Sequence, residues 1–291
     1  MPTAVSLLSS FFGSRLRAVL WIAAGVAAVV LVVAVILGLR PHPAAAPSAR
    51  RTLVAAYIER VGRIQAGMAT QVRAIDTEYK AFARDPAKIG ASVGRYRRAE
   101  RTLAVLRHRL GQVHPPRDAR RLHALLLQLA DQNVLAARSV AAIAAYIPAL
   151  TIQQSQLRKA IVALRVNVAK ANAAKTQAPA FTAYAATTRS VAANVAKLRP
   201  PSFFVAAWNA ELAQLRRLSS LASDIATALT SKQLAKAQKL LGDLGRTEAD
   251  TSVLKAQRAG ALVYNARLGR MKDLTKQIEV ERQRLEKRVP A

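Results

Sequence analysis

The chain contains no cysteine, which excludes disulfides, thiolate metal sites and thiol nucleophiles together. The redox compartment stays open, because a helical domain of this size can bury an adequate core without covalent staples. Aromatic residues are scarce, 5% of 291 positions, and runs of β-branched residues are few. Ala, Leu, Arg and Gln, all strong helix formers, take their place, so the composition predicts an all-α protein. Negative charge is the third shortage: 16 Asp and Glu stand against 45 Lys and Arg, a formal net charge of +29. At 52% hydrophobic residues the chain is nevertheless too apolar to be a disordered basic tail.

Catalytic signatures are missing as well. There is no Gly-rich phosphate loop, no H-E-x-x-H and no G-x-S-x-G. His42, His108, His114 and His123 lack the spacing of metal ligands, and no acid lies three or four residues from His123; all four are expected at the surface or at corners. Asp76 with Glu78, and Glu279 with Glu281, are two residues apart and diverge on a helix. Glu279 with Arg282 and Glu281 with Arg284 are expected to form ordinary surface pairs. No enzyme, cofactor or metal is expected.

The strongest feature present is AVLWIAAGVAAVVLVVAVILGL, residues 18–39, uncharged and without proline. At 1.5 Å per residue it is long enough to span the ~30 Å hydrocarbon core. The expectation is an N-terminal transmembrane helix after a short tail, 1–17, with Trp21, Leu31 and Ile36 among its lipid-embedded side chains. A long cleaved signal peptide is the alternative, with Ala44, Ala45 and Ala46 offering small residues for cleavage. Ala24, Gly25 and Ala28 form a small-residue face of the kind that packs a second helix, though the pattern is common. Arg15 and Arg17 before the segment are outnumbered by Arg40, Arg50, Arg51 and Arg60 after it, which by the positive-inside tally favours a cytoplasmic C-terminal domain. Large domains translocate regardless of such charge, and the Pro- and Ala-rich linker at 40–50 resembles a stiff spacer. The domain is therefore expected outside the cytoplasm.

Beyond the linker the apolar spacing is helical. A helix is expected over 51–84, ended by Asp85 and Pro86. The next, over about 88–113, carries Tyr96, Ala99, Leu103, Leu106, Leu110 and Val113 at alternating steps of three and four, a coiled-coil-type seam. Adding 85 to each number gives Phe181, Tyr184, Thr188, Val191, Val195 and Leu198, again largely apolar. Both seams end just before a Pro-Pro pair, Pro115-Pro116 and Pro200-Pro201, where the helix must stop. Return helices are expected over 117–146 and 202–229, with His123 and Trp208 at matching positions. Pro148 is expected to kink or break the first, so that 149–176 forms a new helix. The expected architecture is thus an up-and-down bundle of two tandem three-helix units, 51–148 and 149–230, followed by a long C-terminal helix in 231–291. Gly242 and Gly245 point to a bend or break near 242–250.

An apolar seam, Pro-Pro, a His or Trp seven residues on and a Leu-rich return helix, repeated over about residues 50–230, resembles uncharacterised secreted or membrane-anchored helical proteins of high-GC bacteria. The resemblance implies a location outside the cytoplasm and no known activity. The layout is also similar to the helical ligand domains of bacterial membrane receptors, but no second transmembrane segment or signalling module follows.

What remains is positive charge, 43 basic against 16 acidic residues beyond position 39, a field that attracts polyanions. The densest group flanks the first corner: Arg107, Arg109, Arg117, Arg120 and Arg121. The last three share one face near a helix start, where free N–H groups also favour anions. Arg95, Arg97, Arg98 and Arg101 form a second group. At the second corner Ser202, Phe203 and Phe204 make the matching spot aromatic and uncharged; core packing is expected there, with an apolar contact for lipid or a partner as the alternative. The leading expectation is a membrane-anchored, non-enzymatic binding or scaffolding protein. Its expected partners are the lipid bilayer and anionic lipids or cell-wall polymers. The alternatives are a membrane-tethered cytoplasmic nucleic-acid binder and a sensory ligand-binding ectodomain.

Overall fold

The computed structural model describes residues 49–84, 89–171 and 173–288. The expected membrane segment 18–39, with Trp21, Leu31 and Ile36, lies outside them, as does the Asp85-Pro86 junction. The described chain is all-helical, with no strand among the described residues. Its helices are α1 (Ala49–Arg84), α2 (Ile89–Gly111), α3 (Arg120–Lys170), α4 (Ala174–Ala196), α5 (Val205–Thr230), α6 (Leu234–Glu248) and α7 (Ser252–Arg288). Among the described residues one helix, Arg117–Lys170, is long and apolar enough to cross a membrane, and half of its most apolar window is buried inside the protein.

The described chain divides into two compact units, one of Tyr146–Leu262 and one of 49–145 with 263–288. In the second, Tyr96, Ala99, Leu103, Leu110 and Val113 are buried on α2, as are Val54, Val61, Val72 and Tyr79 of α1 and Leu122, Leu126 and Leu129 of α3. Leu106 of the same seam is only partly buried, and Leu53 is exposed. In the first unit Phe181, Tyr184, Thr188, Val191 and Val195 occupy the α4 seam. They pack with Leu157 and Ile161 of α3 and Leu215, Leu218, Ala222 and Ile225 of α5. The spacing of three and four thus buries four matching positions in both seams, 96/181, 99/184, 103/188 and 110/195, because it holds one face of a helix toward its neighbours.

The two Pro-Pro corners share their backbone hydrogen bonds at the offset of 85. Val113 N–H donates to the Leu110 carbonyl (3.1 Å), as Leu198 N–H does to Val195 (3.0 Å). Ala119 N–H donates to Pro116 (2.9 Å), as Phe204 N–H does to Pro201 (2.8 Å). Pro116 (φ −59, ψ 158) and Pro201 (φ −54, ψ 146) are both in the polyproline region. Each opens a single 3-10 turn, Arg117–Ala119 or Ser202–Phe204, that leads into α3 or α5. Proline has no N–H to extend the previous helix, yet its carbonyl can accept the first bond of the next turn.

Two expectations need correction. Pro148 does not break the chain into a new helix at 149: α3 continues from Arg120 to Lys170 with Pro148 inside it. An interior proline costs about 3 kcal/mol, but Ala144, Tyr146 and Leu150 around it are all buried, and this packing outweighs the lost bond. Nor is 231–288 one helix. It divides into α6 and α7 at 249–251, where Asp250 Oδ1 accepts from Ser252 N–H (2.8 Å) in an Asx turn. Those bonds hold the Asp250 carboxyl below its ordinary pKa. Gln214 of α5 donates to the Thr247 carbonyl (2.6 Å), satisfying a backbone acceptor in the last turn of α6. Gly242 and Gly245 sit inside α6. The α5–α6 junction is a Schellman turn. Gln233 N–H reaches the Ala228 carbonyl (2.8 Å), Lys232 N–H reaches Leu229 (3.2 Å), and Lys232 takes φ 56, where glycine is usual.

Candidate anion-binding site

The first corner places its five arginines on the end of α2, the 3-10 turn and the first residues of α3. The structure separates them by what they touch. Arg107 holds Asp131 of α3 through two bonds, Nε to Oδ1 at 2.6 Å and a second guanidinium nitrogen to Oδ2 at 3.3 Å. That carboxylate raises the Arg107 pKa, first through the hydrogen bond and then through its charge. Arg121 reaches Glu281 of α7 at 3.6 Å. Arg109, Arg117 and Arg120 are exposed and form no ion pair among the described residues. Of the five arginines, three are thus left without an ion pair among the described residues, and Asp118 lies in the same turn as Arg117. In the second arginine group, Arg95 pairs with Glu78 (3.1 Å), while Arg97, Arg98 and Arg101 are exposed.

Glu281 also corrects the sequence reading. The expected pair with Arg284 forms at 3.4 Å, but Glu281 is buried on α7 and also faces Arg121 at 3.6 Å, so the pair is not an ordinary surface one. Two cations compensate the desolvation of one carboxylate. Arg282 does not take Glu279; it faces Glu286 at 3.5 Å. The alternation of acids and bases along α7 could not show which charges the neighbouring helices would cover.

His123 is the other correction. It is a core residue, not a surface or corner one, at 8% exposure, and Tyr57 Oη lies 3.1 Å from its Nδ1. Burial lowers the His123 pKa, with a smaller contribution from the charge of His114, and burial also keeps the Tyr57 hydroxyl protonated. A neutral ring that takes the tyrosine proton's hydrogen bond on Nδ1 fits both facts. Unfolding releases the histidine to its ordinary pKa of about 6.5, so below that pH the unfolded chain binds a proton that the folded one resists. Stability from this residue is complete above pH ~6.5 and is lost as pH falls through the lowered folded value. Denaturant unfolding across that range is expected to show this slope in the parent chain and a shallower one in His123→Phe; equal slopes would contradict it. Trp208, at the matching position, behaves differently: its indole N–H donates to the Val195 carbonyl (2.9 Å) at the end of α4.

At the second corner Phe204 is buried and Phe203 partly so, the two rings meeting edge to face with centroids 4.6 Å apart. The two rings pack inward, as expected, while Ser202 is exposed. A groove of about 330 Å³ opens in the unit of 49–145 and 263–288, floored by Val61, Leu122, Leu126 and Ile278. On its rim Glu59 and Arg63 face each other at 3.7 Å. No group of three or more His, Cys, Asp or Glu able to hold a metal ion occurs among the described residues. Among the described residues the geometry offers exposed guanidinium groups at the first corner and an apolar groove. No protein-family model, curated protein or solved structure matches the chain.

Proposed function

We propose that this protein is a membrane-anchored helical binding protein, made of two copies of one helix–seam–corner–return unit, that holds anionic components of the cell envelope outside the cytoplasm. The contact is electrostatic. Arg109, Arg117 and Arg120 meet phosphate or carboxylate groups of lipid headgroups or wall polymers, and the apolar segment 18–39 keeps them near those groups. The observation that carries the reading is the division among the corner arginines: two are consumed by Asp131 and Glu281, and three are left to solvent, one at the end of α2, one on the 3-10 turn and one at the start of α3. The likeness to secreted or membrane-anchored helical proteins of high-GC bacteria fits the same role. Binding without turnover is supported by the lack of any catalytic constellation in the sequence.

The test is the binding of inorganic polyphosphate by the full-length protein in detergent, followed as a function of salt. Replacing Arg109, Arg117 and Arg120 by Gln is expected to weaken binding and to reduce the slope of log affinity against log salt by roughly one per arginine. Gln at Arg107 and Arg121, which already have partners, should change the slope less. An unaltered slope in the triple variant removes the site. A C-terminal reporter active only in the cytoplasm would reassign the polyanion to nucleic acid.

A further inference from the structure

We propose that the outer face of the C-terminal half of α3 rests on the surface of an anionic lipid bilayer. From Leu150 to Lys170 this helix buries Leu150, Leu157, Ile161 and Leu164 in the core of the Tyr146–Leu262 unit. The opposite face carries Ile152, Lys159, Val162 and Val166, whose spacings of seven, three and four keep them in line. The three aliphatic side chains are 58%, 54% and 43% exposed, and the exposed Arg158 and Lys170 flank them. The helix already has a full buried stripe on its other side. Packing within the unit therefore leaves no reason for large aliphatics in line on the outside.

Charge selects the occupant. Between Asp131 and Glu211 the chain has no Asp or Glu but nine Lys and Arg. The five carboxylates of the unit, Glu211, Asp224, Asp243, Glu248 and Asp250, all lie on α5, α6 or the junction before α7. The α3 face thus combines exposed aliphatics with cations, and neither this half of α3 nor α4 carries a carboxylate. A soluble polyanion would meet the cations but gain nothing from Ile152, Val162 and Val166. A second copy docked on this face would set Lys159 and Lys170 against like charges. A bilayer with acidic headgroups satisfies both chemistries, because its interfacial layer accepts short aliphatic side chains while its phosphates neutralise the lysines.

The proposal rests on the membrane attachment argued above but uses a different unit and different residues, so the two readings fail separately. Because the chain lacks cysteine, Val162→Cys, Val166→Cys and, as a reference on the exposed side of α5, Ser220→Cys each place one environment-sensitive fluorophore in the full-length protein. Vesicles of phosphatidylcholine alone are compared with vesicles containing phosphatidylglycerol. With the acidic vesicles a blue shift and protection from aqueous iodide are expected at 162 and 166 and not at 220. Adding Lys159→Gln should require roughly five-fold more acidic lipid for half the shift, the factor that one lysine near such a surface contributes. Labels at 162 and 166 that stay in water on acidic vesicles overturn the proposal. So does the same shift with soluble polyphosphate, which would assign the face to a polymer. A shift that grows with protein concentration in the absence of lipid would assign it to a second copy and overturn it too. The lipid response should persist in the Arg109, Arg117 and Arg120 variant whether or not that variant loses polyphosphate binding, and a lipid response lost with those arginines would overturn the assignment to α3.

Discussion

Leu103→Ala is expected to lower the unfolding free energy by about 2–5 kcal/mol, the range for removing a fully buried leucine. Leu103 is 0% exposed at the centre of the α2 seam, so the truncation gives up apolar burial and leaves a cavity that helices on each side can only partly close. The matching residue of the α4 seam, Thr188, is equally buried, and its hydroxyl has no hydrogen-bond partner among the described residues. A buried hydroxyl without a partner costs about 1–3 kcal/mol, so Thr188→Val is expected to raise stability. Opposite signs at two positions 85 residues apart would show that the seams share a register while differing in how well each is filled. Chemical denaturation followed by far-UV circular dichroism measures both. A Leu103→Ala chain as stable as the parent would mean that α2 does not pack as described.

The second large effect is expected at Gly260. A methyl group there would overlap the Phe203 carbonyl oxygen and stand 2.9 Å from Phe204 Cδ1. The oxygen belongs to backbone held by the second corner, so it cannot swing aside as the end of a flexible side chain would. Gly260→Ala therefore forfeits the ~1 kcal/mol that alanine normally contributes inside a helix and is expected to destabilise by about 1–3 kcal/mol. Gly245 has nothing within 4 Å of the same methyl position, and there alanine should stabilise by about 0.5–1 kcal/mol. If both substitutions stabilise, α7 does not pass the corner this closely. By spacing alone these two glycines look alike, each a weak point in a helical run; only the fold shows that one admits a neighbour's backbone and the other faces solvent.

The same contrast runs through the molecule. The seams and the two corners were legible in the sequence because each rests on local rules: a step of three and four puts side chains on one face, and a Pro-Pro pair cannot continue a helix. Pro148 was misjudged by the same local reasoning, since the cost of a proline is local but the burial of Ala144, Tyr146 and Leu150 that offsets it is not. The arginine corner was found as a cluster, yet the partners that divide it, Asp131 and Glu281, lie 24 and 160 residues from Arg107 and Arg121. The absence of acids between Asp131 and Glu211 can be read from the chain. That Ile152, Val162 and Val166 face outward cannot, because an aliphatic residue carries no mark of which neighbour, if any, will cover it.

By itself, then, the amino-acid order determined the helical class, the excess of positive charge, the lack of thiol chemistry and the places where seams must end, all consequences of composition or of residues a few positions apart. The tertiary structure decided which arginines are spent on carboxylates, that His123 is buried against Tyr57, that α3 passes through Pro148 and that α7 needs a glycine beside Phe203. Each of those depends on which helices meet, a matter of long-range packing that no short stretch of chain encodes.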